Sequence, residues 1–157
     1  MVTLTWNWAP RLRFIQETDL CPQVGTFPHV EFPTGDEDKG LGNGKTQVFL
    51  PVWIQKSWGQ WETYGGGGYW INPGTGNKDN WFFGWEVQRD IAKYLTLGAE
   101  IFHQTPSEAG GESVSGFTMG SIINIGELHH ILLSAGRDFS GQNETSFYAG
   151  YLLTFGP

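Results

Sequence analysis

Cysteine is almost missing. Cys21 is the single one among 157 residues, so no disulfide can form within the chain. It sits beside Pro22 with no neighbouring histidine, and reads as a plain turn or buried residue rather than a nucleophile. Charge is scarce as well: Asp, Glu, Lys and Arg make up 16%, against the usual ~25%. The formal net charge is −7. No basic stripe exists to displace counterions from phosphates, which excludes a nucleic-acid partner. Long apolar runs are also lacking. The longest, Val48 to Ile54, has seven residues and contains Pro51, whereas a membrane-spanning helix needs about 20. The start, Met1 to Trp6, has no basic segment, long apolar centre or cleavage site of a secretory signal. The expectation is therefore a cytoplasmic chain, a fragment, or a protein whose natural start has been removed.

What is abundant is glycine and aromatics. There are 23 Gly, and Phe, Trp and Tyr reach 15%. Glycine is about twice its usual ~7%. This composition points to β structure with many turns. A helical bundle would be rich in Ala, Leu, Glu and Lys, and a disordered chain would have few aromatics and many charges. The length suits one domain, taken as 1–157.

Period-two alternation supports strands. In 80–89, Trp81, Phe83, Trp85 and Val87 share one face, while Phe82, Gly84, Glu86 and Gln88 share the other. The same rhythm runs through 94–105, 115–126 and 145–155. A helical reading of 87–99 rests on Val87, Ile91 and Leu95, but Gly98 and the flanking alternation favour strands. Nine segments emerge: 2–15, 22–32, 45–56, 61–72, 80–89, 94–105, 115–126, 129–138 and 145–155. Pro10 interrupts the first, which predicts a broken or edge strand.

The connections alternate between long and short. Residues 33–44, 73–79, 106–112 and 139–144 form long ones; the stretches around 57–60, 90–93 and 127–128 are short. An up-and-down meander with one loopy end and one tight end produces this pattern, as outer-membrane barrels do. A sandwich with Greek-key crossings has no reason to. The expected fold is all-β: an antiparallel up-and-down barrel of about 8–10 strands, with 1–21 an appendage or an incomplete first strand.

Alternation does not by itself say which face meets the interior. Two features favour lipid on the apolar face. Trp58, Trp61, Tyr64, Trp70, Trp81 and Tyr94 lie near strand ends, where interfacial girdles form. The milder face carries Gly, Thr, Ser, Asn and Glu, as a packed lumen needs. The candidate lumen or ligand-facing residues are Glu86, Glu100, Gln88, Thr118, Asn124 and Tyr148. A soluble barrel with a Gly-rich interior is the alternative.

The segment Pro22 to Asp36, with its Phe32-Pro33-Thr34-Gly35-Asp36 turn, is followed by Gly40-Leu41-Gly42-Asn43-Gly44, Leu50 to Ser57 and the Gly-rich Tyr64 to Gly74. On these residues the chain resembles the bacterial outer-membrane transporter-like barrels associated with meta-pathway phenol degradation. The likeness runs from about Pro22 to the C-terminus. It implies a membrane barrel and a transport role, and it brings no catalytic residues to carry over. Members of that family are longer, with a signal peptide and further strands. Nine strands is an odd number, whereas single-chain bacterial barrels close with an even one. Closure with eight strands from Pro22, or by pairing with a second copy, would resolve this.

Candidate chemistry is thin. Glu86 and Glu100 share the milder face and could line a pore, bind a cation or act as acid and base; two lumen residues hydrogen-bonded to polar neighbours are the plainer reading. Arg137 is the obvious partner, but parity puts it on the apolar face, so a bulge would be needed. Asp36, Asp38 and Asn43 do not follow the spacing of a calcium loop. His29, His103, His129 and His130 offer no metal site, since adjacent His129 and His130 face opposite sides of a strand. Gly65 to Gly68 is followed by neither Lys-Ser/Thr nor a helix, so it is not a phosphate loop. It suits a strand over which a bulky neighbour packs closely. Asn143-Glu144-Thr145 is a glycosylation sequon by letters only.

These readings combine into a non-enzymatic bacterial outer-membrane barrel. It would have no cofactor or metal, and would pass or bind small hydrophobic, aromatic compounds. Its partner would be the lipid bilayer, with a homo-oligomer if the barrel is incomplete. The alternatives are a soluble carbohydrate-binding module using exposed Trp, and a small barrel enzyme using lumen carboxylates.

Overall fold

The computed structural model describes residues 6–34, 44–141 and 143–155. All regular elements among them are strands: β1 (Trp6–Trp8), β2 (Leu12–Ile15), β3 (Gln23–Thr26), β4 (His29–Phe32), β5 (Gln47–Trp58), β6 (Trp61–Ile71), β7 (Asn80–Ala92), β8 (Leu95–Gln104), β9 (Val114–Ile125), β10 (His129–Ser140) and β11 (Thr145–Leu153). They make one antiparallel sheet. From β5 onward each strand pairs with the next in sequence.

The first four strands are two broken ones. β1 pairs with β4 and β2 with β3. β3 and β4 lie end to end along β5, opposite 53–55 and 47–49. The breaks fall at Pro10 and Pro28. Proline has no N–H to give to a ladder. Counted this way, the sheet has the nine rows that the alternation predicts. Pro10 was read correctly as an interruption, and the break at Pro28 was not foreseen. The segment 6–15 is paired into the sheet as the two short strands β1 and β2.

The long connections leave from one end and the tight turns 59–60, 93–94 and 126–128 from the other. Gly59 and Gly126 take φ of 61° and 80° in those turns, a left-handed backbone that glycine adopts without penalty. The connection 16–22 belongs to the tight end. It is clamped to β5, because Glu17 accepts the Ser57 amide at 2.7 Å and pairs with Lys56 at 3.3 Å. The Ser57 amide bond holds the Glu17 carboxyl below the usual carboxylate range. Residues 35–43, which include Asp36, Asp38 and Asn43, lie outside the described residues.

The expected barrel is not closed by hydrogen bonds. Among the described residues β11 touches only β10, and the sheet ends at β1 and β2 on the other side. It nevertheless curls around one face, since Phe49 of β5 reaches Phe82 of β7 across β6, with ring centroids 6.3 Å apart. Phe49 and Pro51 are buried on that concave face.

The convex face is apolar and bare. Trp85 is 47% exposed, Ile101 63%, Met119 62% and Phe147 82%. Cross-strand register aligns them: Trp85, Ile101 and Phe117 form one row, and Val87, Ala99, Met119, Ala135 and Phe147 the next. The glycine run of β6 serves this face. Gly65 stands opposite Trp85 and Gly67 opposite Phe83, and both rings lie on the glycine backbone. A β-carbon on Gly67 would sit 2.5 Å from the Phe83 ring, and one on Gly65 would fall inside the Trp85 ring contact. Gly65→Ala and Gly67→Ala should each cost about 1–3 kcal/mol through overpacking. Gly59→Asn, where a β-carbon meets open space and asparagine tolerates the turn conformation, should cost much less. Denaturant midpoints of the three variants check this, and equal midpoints would remove the close-packing role of the glycine run.

Candidate functional site

The concave face is where the polar side chains converge. One row across the sheet reads Gln55, Tyr64, Glu86, Glu100, Thr118 and Gly136; the next reads Ser57, Glu62, Gln88, Gly98, Gly120, Ser134 and Tyr148. Five of the six lumen candidates read from sequence therefore fall in two adjacent rows. Asn124 is apart, near the tight end, where it accepts the His130 ring nitrogen at 2.7 Å and donates to the Lys93 carbonyl.

Glu86 and Glu100 stand directly opposite each other on β7 and β8. Two like charges at that spacing repel, and the glycines show how the strain is relieved. Glu86 leans over Gly98 and Glu100 leans over Gly84, each carboxylate oxygen within 3 Å of where a β-carbon would be. The pair thus splays to opposite sides. The Tyr64 hydroxyl donates to Glu86. Glu62 accepts the Gln55 and Gln88 side-chain amides, each at 2.8 Å. Arg137 is not their partner: it faces outward opposite Phe117 and donates to Asn143 at 3.2 Å. The irregularity in β10 falls beyond it, between Asp138 and Ser140.

The aromatic belt divides. Trp58 and Trp61 face each other across the β5–β6 turn, and the Arg89 guanidinium lies 5.1 Å from the Trp61 ring. Tyr94 is exposed beside the next turn, and Trp81 is stacked on Phe83 at the loop end. Tyr64 and Trp70, expected in this belt, instead lie on the concave face. Tyr64 reaches Glu86, and Trp70 stacks on Phe49 at 4.7 Å. Parity within β6 dictates this, since even positions of that strand point inward and odd ones outward.

Sequence reasoning missed two groupings. At the loop end, Asn72 and Asn80 are buried, at 8% and 2% exposure. Gln47 donates to Asn72, Asn72 to the Ser107 carbonyl, and Gln104 to Asn80. The Lys78 amide donates to the Ser107 carbonyl and the Ala109 amide to the Gly76 carbonyl, so two long connections are tied together over the mouth of the curl. At the β2–β3 side, Arg11, Arg13, Phe27 and Trp53 border a cavity. Neither grouping has a motif; register alone assembles them. Among the described residues no cluster of three or more His, Cys, Asp or Glu could hold a metal ion.

The chain matches no family model and no curated protein.

The amide network predicts a measurable effect. Asn72→Ala takes the Asn72 acceptor from the Gln47 amide and one of two donors from the Ser107 carbonyl, which keeps the Lys78 amide, at about 0.5–1.5 kcal/mol per hydrogen bond. Limited proteolysis should then cut faster within 72–79 and 105–113 than in the parent chain. Unchanged cutting would mean that the network does not hold the loops.

Proposed function

We propose that the chain forms the wall of a bacterial outer-membrane β-barrel that passes or binds small hydrophobic compounds. The observation that carries this is the inversion of the two faces. Large apolar side chains are bare on the convex side, while Glu62 with the Gln55 and Gln88 amides, Glu86 with the Tyr64 hydroxyl, and Glu100 are gathered on the concave side. In water, each exposed Trp, Phe, Ile or Leu forgoes about 1.5–3 kcal/mol of burial, and a contiguous apolar patch of this extent marks a membrane or protein contact. The charged residues of the convex side, Lys56, Arg89 and Arg137, stand towards strand ends. The dimensions agree: ten residue steps separate Trp61 from Ile71, and at about 3.3 Å per step with a tilt of about 40° they rise about 25 Å, the height of a barrel's apolar band. The resemblance to transporter-like barrels points the same way.

Hydrocarbon does not accept unpaired strand edges. The open edges at β11 and at β1 and β2 must therefore pair inside a bilayer, with each other or with a second copy. Sugar stacking is the weaker reading, because Trp58 and Trp61 lie at one end of the strands, Trp81 at the other, and Trp70 on the opposite face.

Vesicles containing lipid brominated along the acyl chains test the proposal. Quenching of the outward Trp85 is expected, read as a smaller quenched intensity in Trp85→Phe, with Trp53→Phe leaving the quenched intensity unchanged. A chain that purifies as a monomer without detergent and shows no quenching sinks the membrane reading.

A further inference from the structure

The inner face beside β2, β3, β5 and β6 encloses a cavity of about 560 Å³, a size that holds small organic ligands. Its wall includes an aromatic stack, with the Phe27 and Trp53 rings 5.6 Å apart and 13° from parallel. Trp53 contributes its ring to this wall, while its indole N–H is itself buried away from accessible space. Arg11 and Arg13 border the same cavity, and neither guanidinium has an ion pair or hydrogen bond among the described residues. The carboxylate in the wall, Glu62, accepts the Gln55 and Gln88 amides and forms no ion pair with either arginine among the described residues. Two unpaired guanidinium groups and a flat apolar wall thus meet in one space.

We propose that this cavity binds a small carboxylate with a flat apolar body, its anionic group on Arg11 and Arg13 and its ring against Phe27 and Trp53. The guanidinium fork matches a carboxylate with two parallel hydrogen bonds. A bare inorganic anion would leave the aromatic wall and most of the volume unused, and a neutral hydrocarbon would leave the donors unmet. This deepens the reading above, since it rests on the concave face being the side that meets cargo. It also gives that face a direction: cationic at β2, acidic from β6 to β8.

Calorimetric titration of the full chain in detergent micelles tests it, with benzoate, benzyl alcohol and acetate as probes. Benzoate is expected to bind one to one, about tenfold or more tighter than either other probe, a difference of about 1.4 kcal/mol. The double variant R11Q/R13Q changes two exposed, unpaired side chains, so folding is expected to survive. It should weaken benzoate about tenfold and leave benzyl alcohol unchanged. Equal affinity for benzoate and benzyl alcohol, or benzoate binding indifferent to R11Q/R13Q, overturns the proposal. Brominated-lipid quenching on the same preparation separates the two ideas. Quenching without benzoate binding removes only the carboxylate site; benzoate binding without quenching removes only the membrane reading.

Discussion

A single sheet with nothing packed on its convex side is stable only where that side meets an apolar medium or another apolar surface. Everything else in this molecule follows from that constraint. Two-layer soluble folds bury one face of each sheet against a partner layer. Here the apolar side chains point away from the curl, and the few buried large side chains, Phe49 and Pro51, lie inside it. Apart from the edges at β11, β1 and β2, the backbone groups of the strands are spent on pairing with neighbours.

The glycines let both faces work. On the convex side Gly65 and Gly67 receive the Trp85 and Phe83 rings, so the outer surface is smoothed by large flat groups lying on backbone. On the concave side Gly84 and Gly98 make room for Glu100 and Glu86, so two carboxylates can share a cross-strand pair without pointing at each other. Tyr64, Gln55 and Gln88 then supply donors. A charged inner wall is tolerable only because each group has either a donor or space.

Much of this was legible in the residues. Period-two patterning located four rows, 80–89, 94–105, 115–126 and 145–155, because a half-covered strand exposes its two faces to different surroundings and its sequence records the difference; the other rows followed from the spacing of the connections. The same parity placed Glu86, Glu100, Gln88 and Thr118 on one side and kept Arg137 from them. The expectation that a bulky ring would pack on the glycine run was met by Trp85. Tyr64 and Trp70 were misplaced because nearness to a strand end was used in place of parity. The Pro28 break, the Asn72–Asn80 network and the Arg11–Arg13–Trp53 cavity carry no local signal. Each joins residues far apart in the chain, whose meeting depends on register.

Sequence alone determined the type of element, the alternation of long and short connections, and which side chains share a face, since these depend on neighbours two residues away. It did not determine which face turns inward, because alternation is symmetric between a soluble sheet and an inverted one. Only the tertiary structure decided that, by curling the sheet around the polar side. It also decided which residues from separate strands meet over the cavity, and that among the described residues β11 pairs only with β10. Curvature and edge pairing are properties of the whole sheet, and no single strand encodes them.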